Sequence, residues 1–321
     1  MDSLKVAVKK SMPTLFDSLL SLRHGRTMRL LSGVGNRFAL QRLTAAKKPF
    51  RVDISSKMGF GATLSNAVVL LDHFQRVDGF RGVCSSNPLY SDPGVSQNMF
   101  DLYFDDVTAR GDESRAIVNF RNPYDISLRQ LGRSLTIARA HELFNLNFRI
   151  KPEFIEEAQV FRSANLGNAI GVHFRGSDKR FEATAVNWND LTQIVDECLD
   201  RTASDHVFIA TDESGFMNHM LQRYGLRVKA IDCHYWSKDG VGAHFVAGGA
   251  LEKGREALLT ILLLSMCKLC IRGVSHLSAW AKIMNPALPI IMVGRPFDIK
   301  FPEREIMETS ANSAAGIMRF S

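Results

Sequence analysis

From Arg51 to Val293, short apolar, β-prone runs alternate with amphipathic helical stretches, and few folds accept that order of elements. Arg51–Ile54, Phe80–Ser86 and Ala116–Phe120 read as strands. Between and after them lie a glycine-punctuated turn at Lys57–Gly61 and helical periodicity at Ala62–Val77, Leu128–Phe144 and Pro152–Ala164. The second half repeats the rhythm, with strands at Ala169–Phe174, His206–Ala210, Leu226–Ile231, Leu269–Ile271 and Leu288–Val293. Helices are expected at Trp188–Leu199, Glu213–Tyr224, Arg255–Cys267 and Ser275–Ile283. Strands separated by helices at this spacing pair in parallel and need helices on both faces of the sheet. The expected fold class is therefore α/β, as two Rossmann-like units that meet near residues 160–168 with a cleft between them. The expected division is a basic extension (1–50), an N-terminal α/β domain (51–162), a C-terminal α/β domain (163–305) and a frayed tail (306–321).

Composition narrows the setting. The longest apolar run, Ala257 to Cys267, stops at Lys268 and is too short for a membrane span. Five scattered cysteines do not form a secreted disulfide framework, and no apolar leader with a small-residue cleavage site precedes the basic segment, so a reducing cytoplasm is the expected compartment. Residues 1–50 hold ten basic and two acidic residues, whereas the whole chain carries +7, so residues 51–321 are almost neutral. Such a segment suits an anionic membrane surface, nucleic acid or an acidic partner, or a solvated helical extension packed on the body.

Several familiar motifs fail. There is no phosphate loop of the G-x-x-x-x-G-K-[ST] kind and no G-x-S-x-G, and Asn145 interrupts the H-E-x-x-H begun at His141. Gly33-x-Gly35 and Gly59-x-Gly61 each lack the third glycine of a dinucleotide fingerprint. Cys267 and Cys270 have zinc-knuckle spacing without a second pair, and read as core thiols. What remains is Gly171-Val172-His173-Phe174-Arg175-Gly176-Ser177-Asp178-Lys179, an apolar strand that ends in a dense polar group. In an open α/β sheet the carboxyl end of a strand faces the ligand crevice, and an arginine there suits the paired oxygens of a phosphate. Two further strand ends, at Thr211-Asp212 and at Ser275-His276, are assigned to the same edge. Thr211 or Asp212, and Ser275, also suit helix caps, and a helix N-terminus is itself an anion site.

These residues resemble the fucosyltransferase superfamily that contains the α-1,6-fucosyltransferases, the rhizobial nodulation fucosyltransferases and the protein O-fucosyltransferases. The resemblance rests on His173-x-Arg175-Gly176-Ser177-Asp178-Lys179, Ala210-Thr211-Asp212, and Leu263-Leu264-Ser265 leading to Ser275-x-x-Ser278, with an echo in Gly59-Phe60-Gly61. It implies a GT-B architecture and an inverting, metal-independent transfer from GDP-fucose to a hydroxyl of a glycan or other acceptor. No D-x-D occurs to carry a metal–diphosphate bridge, and no cofactor is implied beyond the donor itself. Arg175 is expected on the diphosphate, His173 near the nucleoside, and Gly59, Gly61, Gly176, Ser177, Asp178, Lys179, Thr211, Asp212, Ser275 and His276 around the donor. Glu182 takes the place of a catalytic glutamate. The chain departs from the family at Gly176, where many α-1,6 enzymes carry a second arginine, at Thr260, often acidic, and at His276, often a smaller polar residue. The expected partners are the GDP-sugar and a carbohydrate or glycosylated acceptor, with peripheral membrane contact through residues 1–50 and no nucleic acid. The competing readings are another GDP-sugar, or a non-catalytic nucleotide-binding fold whose basic arm holds a polyanion.

Overall fold

In the computed structural model, residues 45, 49–106, 116–120, 131–176, 183–237, 242–246 and 248–317 are described. Strand β1 (Phe50–Ile54) is nearly all buried and lies at the centre of a three-stranded parallel sheet, between β2 (Phe80–Cys84) and β4 (Ala116–Phe120). Helix α1 (Phe60–Phe74) makes the crossover from β1 to β2. It starts at an extended Gly59 with no side-chain cap, and Leu64, Ala67, Val68, Leu71 and Phe74 line its buried faces. A short helix α2 (Phe100–Tyr103) runs into β3 (Phe104–Asp106), which pairs antiparallel with β5 (Phe148–Ile150) at the end of α3 (Ile137–Asn147).

The second sheet has five parallel strands in the order β10-β9-β6-β7-β8: Ile290–Met292, Cys270–Arg272, Ala169–Phe174, His206–Thr211 and Val228–Lys229. It is reached through α4 (Pro152–Phe161), with proline in the first turn, and a π-turn at Arg162–Leu166. Helices α5 (Trp188–Thr202), α6 (Ser214–Tyr224), α7 (Ala250–Ser265), α8 (His276–Met284) and α9 (Glu303–Ile317) complete the chain. Every residue of β6 is buried. Ile170, Val172 and Phe174 join Leu191 and Val195 of α5 and Phe216 and Met220 of α6 in one core. Ala169, together with Phe208 and Ala210 of β7, belongs to the other, which runs through Leu258–Leu264 of α7 and Trp280 of α8 to Leu64 and Phe50. That second core is continuous with the first sheet, so α1, α7 and α8 fill the space between the sheets. Among the described residues, no helix is long and apolar enough to cross a membrane.

The tightest join is where α1 meets α8. A Cβ at Gly61 would lie 2.7 Å from both the His276 carbonyl carbon and the Leu277 nitrogen, so only glycine admits this backbone-to-backbone approach. One turn on, Ser65 Oγ lies 2.9 Å from the Gly61 carbonyl, 2.9 Å from His276 Nδ1 and 3.0 Å from Trp280 Nε1, which donates to it. Trp280 is fully buried, with Phe144 of α3 packed edge-on at 5.3 Å.

Several elements differ from the sequence expectation. Gly61 lies inside α1 instead of in a turn before it. Of the helix expected at Leu128–Phe144, residues 128–130 lie outside the described residues, Leu131 is helical, and after a turn α3 starts at Ile137, where the Thr136 Oγ1 accepts the Arg139 N–H at 3.1 Å. Strand β8 shrinks to two residues, with Leu226 in the preceding 3-10 turn and 93% exposed. Helix α9 runs from Glu303 to Ile317, into the expected tail, and its first turns are tied to the body. Glu303 is buried against Arg272, Glu305 accepts the Ile137 N–H at 2.6 Å, and Ser310 accepts the Met292 N–H at 3.1 Å.

Gly61→Ala should separate α1 from α8 and cost about 1–3 kcal/mol, several degrees in melting temperature. Gly59→Ala, whose Cβ would meet nothing within 4 Å, should be tolerated. Thermal denaturation of the two variants checks the contrast, and equal effects would contradict the close approach.

Candidate active site

Parallel pairing sets the three polar strand ends side by side. Phe174 pairs with Thr211 and His173 with both Ala210 and Arg272, so β6 ends between β7 and β9. The His173 carbonyl accepts the Gly273 N–H at 3.1 Å, which extends the ladder into the turn that carries Ser275. His173 is 5% exposed. By strand alternation its side chain shares the face of Ala169, toward α7 and α8, whereas Phe174 faces α5 and α6.

Arg175 follows the strand and lies with Nε 3.5 Å from Asp212 Oδ2, both side chains being largely buried. Its charge also reaches Tyr90, on the loop that leaves β2. Burial pushes the Tyr90 hydroxyl up to about 12, against opposing pulls from the Phe60 backbone and the Arg175 guanidinium. The Tyr90 loop is itself anchored at the strand ends of the first sheet. Asp53 accepts the Ser86 N–H at 2.7 Å and its hydroxyl at 2.6 Å, and Asn87 Nδ2 donates to the Met58 carbonyl at 2.8 Å. The Tyr90 loop of the first sheet is therefore within electrostatic reach of Arg175 at the edge of the second.

Gly176 packs where a Cβ would lie 2.6 Å from Glu213 Oε1. The Glu213 carboxylate occupies the space a larger residue at this position would need. Thr211 Oγ1 accepts the Glu213 N–H at 3.1 Å and so shapes the turn into α6, but α6 has no side-chain cap. The Asp212 carbonyl accepts the Ser237 N–H at 2.7 Å, drawing the 232–237 segment over the end of β7. There Glu256 of α7 accepts the His234 N–H at 3.0 Å and pairs with His234 Nδ1 at 2.7 Å. Burial beside these groups pushes the Cys233 thiol up to about 11.

Ser275 caps α8, its Oγ accepting the Leu277 N–H at 3.3 Å, and is 2% exposed. His276 follows it, held by Ser65, while Gly59 and Gly61 open α1 directly opposite. The structure thus brings together His173, Arg175, Gly176, Thr211, Asp212, Ser275, His276, Gly59 and Gly61. Ser177, Asp178, Lys179 and Glu182 lie outside the described residues. Tyr90, Glu213, His234 and Glu256 were not anticipated. Glu213 directly follows the Thr211-Asp212 strand end, but nothing local marks the other three. Among the described residues, no three His, Cys, Asp or Glu side chains converge to hold a metal ion. An apolar hollow of about 240 Å³ between α4 and α7, lined by Val160, Phe161, Leu259 and Leu263, shares no residue with the crevice. We place the site in the crevice, because that is where the polar groups converge.

The sequence matches no known protein family and no curated protein. Solved structures do resemble it. The fucosyltransferase NodZ from Bradyrhizobium aligns with a TM-score of 0.51 at 17% identity, covering 80% of this chain and all of that one. NodZ α-1,6-fucosyltransferase soaked with GDP-fucose aligns with a TM-score of 0.50 at 16% identity, over 79% of this chain and 100% of that one. The chain has the NodZ fold. The likeness is one of architecture, a mixed α/β fold with parallel sheets, and in this chain the NodZ fold carries the strand ends described above.

Cys267 and Cys270 lie on the core side of the same fold. Both are buried, Cys270 is pushed up to about 12 by burial, and Cys267 is raised further by the same cause. Alkylation at pH 8 followed by mass spectrometry should leave both unmodified in the folded protein and label them only after denaturation. Labelling of the native pair would show an accessible dithiol instead.

Proposed function

We propose that this chain is an inverting, metal-independent glycosyltransferase that moves fucose from GDP-fucose to a hydroxyl of a glycan or other acceptor. In this reading the fold is a GT-B arrangement in which residues 51–162 face the acceptor and residues 163–305 hold the donor. The observation that carries it is the convergence of Arg175, Asp212 and the Ser275-capped N-terminus of α8 at three adjacent strand ends of one parallel sheet. The NodZ likeness supports it, since a protein of that fold is described as soaked with GDP-fucose.

The chemistry follows from where charge develops. As the bond between the fucose anomeric carbon and the β-phosphate oxygen breaks, negative charge gathers on the departing GDP and the carbon becomes oxocarbenium-like. Arg175 offers a planar fork to the diphosphate oxygens, and Asp212 at 3.5 Å limits the directions the guanidinium can take. Ser275 accepts from Leu277 and keeps its own hydroxyl hydrogen to donate, at the N-terminus of α8. Lys179 adds a second cation from the same sequence motif. The acceptor oxygen attacks the opposite face of the sugar and gives its proton to a carboxylate, a role assigned to Glu182.

GDP should raise the melting temperature and UDP should not, with the GDP effect unchanged by EDTA. Arg175→Lys should weaken GDP binding nearly as much as Arg175→Ala, since one ammonium cannot replace a bidentate fork and such contacts carry about 1.5–3 kcal/mol each. Equal stabilisation by UDP, or full GDP affinity in the lysine variant, would contradict the donor assignment. With an acceptor in hand, Glu182→Gln should lower turnover roughly 10²–10⁴-fold and leave GDP affinity unchanged. Turnover within a few-fold of the parent would place the base elsewhere.

A further inference from the structure

Among the described residues, Arg272 is the largest charged side chain that is fully buried, at 0% exposure, and its partner Glu303 is 3% exposed. The pair is bidentate, with Nη1 donating to Oε2 at 2.6 Å and Nη2 to Oε1 at 2.7 Å. The same guanidinium donates from Nη2 to the Ser275 carbonyl at 2.6 Å and from Nε to Ser278 Oγ at 2.9 Å. Stability alone does not call for such an arrangement, because well-packed apolar residues of similar volume serve a core as well as a buried ion pair. The pair does supply direction. A guanidinium held on one side by a carboxylate holds the Ser275 main chain on the other.

We propose that Arg272 and Glu303 are positioning residues of the donor site, through which the C-terminal helix α9 holds the turn that presents Ser275 and the N-terminus of α8. The proposal rests on the reading of the crevice as a GDP site. Its reach is longer than the turn. The residues next to Glu303 on α9 grip the other half of the molecule, since Glu305 accepts the Ile137 N–H at the start of α3 and Arg304 donates to the Arg133 carbonyl. One turn of helix thus fixes the donor turn and the α3 end of the first unit in a common frame. Glu303 also neutralises Arg272 within the core, so the diphosphate meets the Arg175 charge and not that of Arg272.

The test is calorimetric titration of GDP into the full chain and into Glu303→Gln, Ser275→Ala and the double variant, with melting temperatures alongside. Glu303→Gln should weaken GDP binding about tenfold and add no further loss in the Ser275→Ala background, because both changes act on the same turn. Glu303→Gln binding within twofold of the parent, or losses that multiply in the double variant, would overturn the proposal. Should Glu303→Gln not fold, Arg272→Met/Glu303→Leu takes its place as an apolar replacement of the pair. That variant should melt near the parent and still bind GDP about tenfold more weakly, and parent-like affinity would overturn the positioning role. A parent chain that does not bind GDP would instead overturn the donor-site reading itself.

Discussion

At Gly61 the backbone of α1 touches the backbone of α8, at a distance that leaves no room for a side chain. The contact joins the first turn of the helix that follows β1 to the first turn of the helix that follows β9. Both helices begin just beyond their strands, so the contact holds the carboxyl ends of β1 and β9 close together. Ser65 then secures the join, with one hydroxyl serving the Gly61 carbonyl, His276 and Trp280 together. Because Trp280 is also packed against Phe144, the α1–α8 crossing is tied to α3 and to the antiparallel ribbon behind it. Interiors packed at this density do not deform smoothly, so a disturbance at the crossing is carried to the strand ends.

Two arginines at neighbouring strand ends show how burial separates roles. Arg272, on β9, is fully enclosed and spends its donors on a carboxylate, a carbonyl and a hydroxyl. Arg175, just past β6, lies with Nε 3.5 Å from Asp212 Oδ2 and within electrostatic reach of Tyr90. A buried guanidinium with satisfied donors is a structural fixture, and Arg272 is one, whereas Arg175 stands beside Asp212 where β6 and β7 end. The carboxylate of Glu213 is seated where a side chain at Gly176 would begin, and as the end of a flexible side chain it would have to shift to admit one.

Much of the fold was legible from the residues alone. Ala169–Phe174 read as an apolar strand, and β6 has the expected bounds and is buried along its length. Ser275 reads as a cap from its place before an apolar-periodic stretch, and it is one. Other features had no local signature. β3 and β5 are three residues each, too short for a pattern to emerge, and exist because Phe104 and Phe148 share a core. The residues after Glu305 are small and polar and look like a fraying end, yet Ser310 bonds β10, a partner that lies elsewhere in the sequence.

By itself the sequence determined the alternation of strands and helices, the parallel sheets, and the strand ends at which polar residues gather. Those are consequences of local periodicity and of the chirality that strand–helix–strand units obey, and they need no knowledge of distant neighbours. Only the tertiary structure decided which strand ends are adjacent, that Arg175 stands beside Asp212, and that Arg272 is enclosed by Glu303, Ser275 and Ser278. An arginine in a sequence carries the same charge wherever it stands. Whether that charge is cancelled, shared or offered to a ligand depends on carboxylates and carbonyls brought to it across many residues, here Glu303 to Arg272 and Asp212 to Arg175.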